Sequence, residues 1–244
     1  PLSVNMYTSR VSFICAVKQL YIIFFAVATE GAVFNESIGD SIFAASASSY
    51  FTDFSSFDSD NWVMKDGTCS HCNERYGAEC TLWDADAAAF GSIPIENGST
   101  SETMSGVTLT TTPLETNASC GGICKSAHMV YDHDLMYGTV TVEAKWFPGD
   151  EDNVSTATGF IGLDSDGNEA SITMGFHGVG WDDDEDFDHK FQTAVYADVD
   201  NSHEKEYEDM SPVSVADEFN VYSIKWTSEK VTWKFNGELA RKVT

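Results

Sequence analysis

The chain has 244 residues, of which 39 are Asp or Glu and 13 are Lys or Arg, giving a formal net charge of −26. Hydrophobic residues make up 42% of the sequence, which is enough for a folded core and excludes a disordered acidic tail. Because this charge repels phosphate groups, the composition argues against a nucleic-acid partner and against docking to anionic membranes. Uncharged carbohydrate and cations remain open as partners.

The first 28 residues have the composition of a secretory signal peptide. Arg10 and Lys18 form a basic region, the apolar residues 20–28 follow, and Ala26-Val27-Ala28 supplies small residues for a cleavage site. The alternative is a signal anchor, because residues 11–28 are mostly apolar. We therefore expect a secreted, extracellular or cell-surface protein, with no membrane contact once the signal is cleaved.

Cysteines and sequons agree with that compartment. Five cysteines follow the presumed signal, and an odd count leaves one thiol free or paired beyond Thr244. Cys69-x-x-Cys72 with His71 resembles half a zinc site, but no second ligand pair follows at zinc spacing, so disulfides are favoured. Asn-x-Ser triplets occur at residues 35, 97, 117 and 153, as in a secreted glycoprotein.

Beyond the signal, the pattern is one of successive short strands. Residues 1–28, including a short upstream stretch 1–5, are the predicted signal, residues 29–49 a leader segment, and residues 50–244 one β-sandwich domain. Strands are predicted near 51–57 and at 106–112, 138–147, 156–163, 169–176, 190–197, 219–226, 230–235 and 238–243. Asn236-Gly237 predicts a type I′ turn between the last two. No convincing long amphipathic helix appears, and the chain stops inside a hairpin strand, as if its C-terminal strands were missing.

An acidic run precedes the strand at 190–197. Residues 182–186 read Asp-Asp-Asp-Glu-Asp, which is typical of a solvated, self-repelling loop, although clustered carboxylates also suit calcium. No calcium motif supports that second interpretation, so no metal or cofactor is predicted. Trp181 beside the run is either a platform for stacking a sugar or an anchor for the loop.

The order of these strands resembles glycoside hydrolase family 16, the laminarinase and lichenase group. The resemblance rests on Tyr137-Gly138 opening a strand, the strand at 168–175, the strand from Gln192 to Tyr196, and Trp233-x-x-Asn236-Gly237, and it covers roughly residues 50–244. It implies a concanavalin A-like jelly roll, an all-β sandwich of two antiparallel sheets, with a cleft for β-glucan. It also implies β-1,3 or β-1,3-1,4 linkages and hydrolysis of O-glycosyl bonds.

The catalytic strand of that family reads Glu-x-Asp-x-Glu, with nucleophile, tuning acid and general acid/base on one face. A retaining glycosidase needs two carboxyl groups about 5–5.5 Å apart, and alternation along one strand supplies them. Here the three positions are Glu169, Ser171 and Thr173, so only the nucleophile position keeps its acid. We call these three residues the motif positions.

Other residues are candidates by their places in the same resemblance. Glu143 lies on an alternating strand that could line the cleft, where it is either a displaced acid or a surface residue. The resemblance also implies substrate-binding roles for Tyr137, Thr141 and Gln192.

Three functional hypotheses follow. The chain is a hydrolase with a displaced acid, a non-catalytic β-glucan-binding pseudoenzyme, or a general lectin-like sandwich. The third leaves Glu169 and the ordered strand signatures unexplained. In each case the partner is polysaccharide and the protein is expected to be a monomer.

Overall fold

A computed structural model provides the coordinates. It describes residues 6–15, 19–28, 49–68, 81–97, 100–115, 123–133, 135, 137–146, 155–164, 169–177, 190–197, 202–209 and 218–244. Cys69, Cys72, Trp181 and the acidic run 182–186, all singled out from the sequence, lie outside these residues.

Strands account for nearly all of the described structure. In chain order they are β1 Met6–Cys15, β2 Gln19–Ala28, β3 Ser49–Thr52, β4 Trp62–Met64, β5 Gly67–Thr68, β6 Thr81–Trp83, β7 Ala88–Asn97, β8 Thr100–Glu115 and β9 Ile123–Ser126. They continue as β10 His128–Tyr131, β11 Gly138–Trp146, β12 Ser155–Asp164, β13 Glu169–His177, β14 Lys190–Ala197, β15 Ser202–Asp209, β16 Asn220–Trp226, β17 Val231–Phe235 and β18 Glu238–Val243. A short 3-10 turn spans Ala85–Ala87. No helix within the described ranges is long and apolar enough to cross a membrane.

Two sheets form from the described strands. The seven-strand sheet has the order β15-β14-β13-β12-β1-β10-β4. The eleven-strand sheet runs β18-β17-β16-β11-β2-β8-β9-β6-β5, with β3 on β2 and β7 on β8. The pairing of β6 with β9 is parallel, and the other described pairings are antiparallel. The all-β prediction is confirmed.

The strand predictions succeed where alternation is regular. The predicted bounds of β14 and β18 match the structure, and those of β11, β13, β16 and β17 differ by one residue at one end. Asn236 and Gly237 have φ of 48° and 86°, as a type I′ turn requires. The strand β15 was missed because its sequence, SHEKEYED, carries charge at most positions and shows no apolar alternation.

The core lies between the sheets and follows the period of two. On β11, Val140, Val142 and Ala144 are fully buried, whereas Thr141 and Glu143 between them are partly exposed. The core also receives apolar and aromatic side chains from both sheets, including Phe160, Ile172, Met174, Phe191, Tyr222, Ile224, Trp226 and Trp233. Trp226 and Trp233 are therefore core residues.

The predicted signal peptide contains β1 and β2 in the structure. β1 lies between β12 and β10 in the seven-strand sheet, and β2 lies between β11 and β8 in the other. Signal cleavage stays a prediction. A chain cleaved after Ala28 would lack both strands.

A polar network joins the two sheets near β3 and β4. Tyr50 lies on β3 and donates its hydroxyl hydrogen to Oδ2 of Asp58 at 2.8 Å. Trp62 lies on β4, and its Nε1 donates to the hydroxyl oxygen of Tyr50 at 3.1 Å. Asn61 Nδ2 donates to the same Asp58 oxygen at 2.7 Å. Burial and the neighbouring Asp58 carboxylate raise the pKa of Tyr50 to about 12.

Candidate functional site

The strand β13 carries the motif positions and lies in the interior of the seven-strand sheet. It pairs with β12 on one side and β14 on the other. Ala170, Ile172 and Met174 are buried in the core, so the motif positions between them belong to the opposite face. Ser171 is 8% exposed and Thr173 is more exposed than that.

Strand register aligns each motif position with one residue on each neighbouring strand, and we call such a set of aligned residues a row. Thr173 is flanked by Gly159 on β12 and Ala194 on β14, and the row continues to Ser12 and Lys205. The row of Ser171 contains Arg10, Ile161, Tyr196 and His203, and the row of Glu169 contains Thr8 and Leu163.

These rows contain one carboxylate, Glu169. The acidic residues of β15 fall in other rows, because Asp209 pairs in register with Lys190, and Glu204, Glu206 and Glu208 pair with the core strand residues Val195, Thr193 and Phe191. Since Thr193 and Val195 are fully buried, those are rows of the core-facing set. Within the described strands of this sheet, no second acid therefore shares the rows of the motif positions.

Glu143 does not provide the displaced acid. It lies on β11, which pairs with β16 and β2 in the eleven-strand sheet, whereas Glu169 lies in the other sheet. Because Val142 and Ala144 on either side point into the core, Glu143 faces away from it, on the outside of the sandwich. Thr141 has the same orientation. Of the two alternatives for Glu143, the structure therefore favours the surface residue, and Thr141 lies with it in the sheet that does not contain Glu169.

The remaining predicted site residues are only partly brought together. Gln192 lies on β14, 8% exposed, opposite Gly175 and next to the row of Thr173. Tyr137 precedes β11 with φ of 60° and packs edge-on against Trp226, with ring centroids 4.9 Å apart. It is thus placed beside the core of the eleven-strand sheet. Trp181 lies outside the described residues.

A close backbone contact lies beside Thr173. Gly159 has φ of +156°, and a Cβ there would overlap the carbonyl oxygen of Ile172 and lie 2.8 Å from Cα of Thr173. Only glycine fits this approach, so Gly159 brings β12 tightly against the peptide that joins Ile172 to Thr173.

Two side chains from the other sheet reach the same region, and motif reasoning missed their role. Trp233 Nε1 donates to the carbonyl oxygen of Thr173 at 3.0 Å. Arg241 Nη1 donates to the carbonyl oxygen of Thr193 at 3.0 Å and to its hydroxyl at 3.1 Å. The hydrophobic pattern places Trp233 in the core but does not indicate its hydrogen bond. Nothing in the local sequence around Arg241 indicates that this charged side chain points into the core.

The rows of the motif positions combine the charged residues Glu169, Arg10 and Lys205 with neutral polar ones. Ser171, Thr173 and Gln192 do not ionise at ordinary pH, and His128, in the row of Gly175, has its pKa lowered to about 4 by burial, with the Lys65 charge adding to the shift. Among the described residues, no group of three or more His, Cys, Asp or Glu side chains is arranged to hold a metal ion.

The fold has counterparts among known proteins. The Bacillus licheniformis β-glucanase is 15% identical, with a TM-score of 0.52 over 78% of this chain and 75% of that chain. A β-1,3-1,4-glucanase (lichenase) from a mouse hindgut metagenome is 17% identical, with a TM-score of 0.52 over 78% and 75% of the two chains. The laminarinase catalytic domain of Thermotoga maritima MSB8 is 15% identical, with a TM-score of 0.50 over 77% and 72%.

These similarities establish the jelly-roll fold, which confirms the architecture expected from the sequence. A search of the curated proteins finds no match. The family model described as glycosyl hydrolases family 16 matches residues 93–244, which include β13 and the Trp233 hairpin. The chain belongs to glycosyl hydrolases family 16.

Proposed function

We propose that this protein binds β-glucan on the motif face, which is the face of the seven-strand sheet that carries the motif positions. We propose further that it does not cleave the glucan. The observation that carries the proposal is that the described strands place a single carboxylate, Glu169, in the rows of the motif positions. Double displacement needs two carboxyl groups, and loss of the general acid removes a factor of about 10²–10⁴ in rate. Threonine at position 173 cannot replace it, because its hydroxyl does not ionise near neutral pH.

Support for β-glucan as the ligand comes from the family and from the solved structures of similar fold. The similar structures are a β-glucanase, a lichenase and a laminarinase. A β-glucan is uncharged, so the net charge of −26 does not oppose its binding. The neutral polar side chains of Ser171, Thr173 and Gln192 suit hydrogen bonds to sugar hydroxyls.

Hydrolysis is the second candidate function, because Glu169 keeps the nucleophile position. The deciding experiment incubates the full-length protein with soluble β-1,3-glucan and mixed-linkage β-1,3-1,4-glucan, and measures both binding and released oligosaccharides. Glu169→Gln is the control. We expect binding by both proteins and no products from either. Product release that disappears in Glu169→Gln would establish a hydrolase instead.

An α-glucan of similar length tests the general lectin hypothesis in the same assay. Binding to β-glucans alone supports the proposal. Equal binding to the α-glucan would favour a lectin-like sandwich of broad specificity, and absence of binding to any of the glucans would refute the proposed function.

We further propose that the protein acts outside the cell or on its surface, as a monomeric, disulfide-containing glycoprotein. The apolar N-terminal segment and the four Asn-x-Ser triplets support this location. Intact mass of the protein recovered from the medium tests it: a chain that begins at residue 29 and carries glycans would support secretion with cleavage. A chain that keeps residues 6–28 would retain β1 and β2.

A further inference from the structure

We propose that Trp233 and Arg241 are positioning residues, which hold the peptide backbone beneath the glucan-binding face from the opposite sheet. The inference rests on the proposed glucan-binding function and extends it to residues that lie on the other side of the core. Neither side chain belongs to the motif face.

The two residues form a pair. Trp233 on β17 and Arg241 on β18 are opposite each other in register, and the guanidinium carbon of Arg241 lies 5.3 Å from the centroid of a Trp233 ring. Trp233 is fully buried and Arg241 is 7% exposed. The stacking contact therefore takes place inside the sandwich, where a cation over an indole face is favourable.

The two carbonyl groups that they bind are also neighbours. Thr173 lies on β13 and Thr193 on β14, and in the register of these strands Thr193 pairs with Met174, the residue that follows Thr173. Trp233 and Arg241, which are paired in the eleven-strand sheet, thus bind neighbouring residues of the seven-strand sheet through three hydrogen bonds of 3.0–3.1 Å.

Hydrogen bonds between the sheets fix their relative position more closely than apolar packing does. Contacts between apolar side chains tolerate small sliding and rotation of one sheet over the other, whereas hydrogen bonds have narrow limits of distance and angle. On β12, Gly159 presses against the peptide that joins Ile172 to Thr173. The two peptides that flank Cα of Thr173 are therefore both held, the first by β12 and the second, which contains the carbonyl group of Thr173, by Trp233.

The consequence for binding follows from strand geometry. Trp233 and Arg241 hold from the core side the peptides that join Thr173 to Met174 and Thr193 to Ala194. These peptides carry Thr173 and Ala194 on the motif face, and Gln192 on the same face directly precedes Thr193. Fixing these peptides fixes the spacing between side chains that contact the sugar, which lowers the ordering cost of binding. Arg241 and Trp233 thereby affect glucan affinity without contacting glucan.

The test uses Trp233→Phe and Arg241→Lys in the full chain, with Trp62→Phe as the matched control. Trp233→Phe keeps an aromatic ring but removes the indole N–H. Trp62 is equally buried and also donates an indole hydrogen bond, to Tyr50, but it lies on β4 at the far edge of the sheet. The control therefore loses the same atoms and the same kind of bond away from the motif face.

Two readouts separate positioning from general stability. Amide hydrogen exchange at residues 171–175 and 192–195 should be about five- to tenfold faster in Trp233→Phe and Arg241→Lys than in Trp62→Phe. Affinity for a mixed-linkage β-glucan hexasaccharide, measured by calorimetry where all variants are folded, should fall about fivefold in the two variants and stay unchanged in the control.

Each outcome decides something. Equal exchange and equal affinity loss in all three variants would overturn the proposal, since the contacts would then act only on stability. Faster local exchange with unchanged affinity would show that the contacts hold the backbone but do not position the binding face, and would also overturn it. If the unmodified protein binds no hexasaccharide, the proposed function fails, while the exchange pattern still shows whether Trp233 and Arg241 hold these two strands.

Discussion

Tyr50 and Trp62 connect the two sheets through a hydrogen bond of 3.1 Å from the indole N–H to the hydroxyl oxygen, and the same hydroxyl group donates to Asp58 at 2.8 Å. Tyr50 lies on β3 of the eleven-strand sheet, and Trp62 lies on β4 at the edge of the seven-strand sheet. One oxygen atom therefore joins the sheets at the end of the sandwich remote from β13.

Replacement of Tyr50 by Phe should destabilise the fold by about 1–3 kcal/mol, because it leaves the buried Trp62 indole without this acceptor. Urea unfolding monitored by tryptophan fluorescence measures the change. Tyr137→Phe is the control, since the described contact of Tyr137 is made by its ring, against Trp226. A Tyr50→Phe protein as stable as the parent would show that water replaces the hydroxyl group.

His128 should make the folded state less stable as the pH falls from 6.5 to 4. Its pKa is lowered to about 4 by burial and the Lys65 charge, whereas the unfolded chain binds the proton near pH 6.5. The stability that depends on a neutral His128 is thus fully present above pH 6.5 and is lost as the pH falls towards 4.

The measurement is urea unfolding of the parent and of His128→Asn at pH 7, 5.5 and 4.5. The Asn variant should lose less stability over this range. Asp58 and Asp84, whose pKa values are lowered by hydrogen bonds from Asn61 and Lys125 respectively, titrate in both proteins and cancel in the comparison. Parallel pH profiles would contradict a buried neutral His128.

Gly159→Ala should destabilise the folded protein more than Gly91→Ala, although both glycines have positive φ. A Cβ at position 159 meets backbone atoms of β13, whereas Gly91, with φ of +123°, has open space around the same position. We expect Gly91→Ala to cost about 1 kcal/mol from backbone strain, and Gly159→Ala to cost more than about 2 kcal/mol or to prevent folding. Thermal unfolding of the two variants side by side provides the comparison, and equal losses would argue that β12 and β13 separate easily.

Restoring the motif acids should create hydrolysis if the binding face is otherwise intact. Ser171→Asp with Thr173→Glu puts carboxylates at the two substituted motif positions, and general acid assistance is worth about 10²–10⁴ in rate. Release of oligosaccharides from mixed-linkage β-glucan is the measurement, and the same double variant with Glu169→Gln should be inactive. A double variant that binds glucan but releases no products would indicate that further groups of the site have changed.

The sequence predicted the strands whose two faces differ in polarity. β11, β13 and β16 were found because apolar and polar residues alternate along them, and the Asn236-Gly237 turn was found because both residues tolerate positive φ. Alternation separates the two faces of one strand but does not assign that strand to a sheet. For this reason the sequence left Glu143 open as a displaced acid, although the sandwich core separates its strand from that of Glu169.

Two other features lie beyond pattern reasoning for different physical reasons. The residues of β1 and β2 fit a signal peptide as well as sheet strands, and composition alone does not choose between the two. The inward contact of Arg241 depends on the crossing of two sheets, which no local sequence window contains.

The edge strand β15 has a consequence for how copies of this protein meet. Its sequence SHEKEYED places acidic residues along the outermost strand of the seven-strand sheet, where unpaired backbone groups would otherwise accept a strand from another molecule. Two such edges approaching each other bring like charges together at the spacing of a β-ladder, a repulsion that salt screens only beyond about 10 Å at 0.1 M. An uncharged polysaccharide experiences no such repulsion. The edge thus discourages self-association while leaving the neighbouring face open to a neutral polymer.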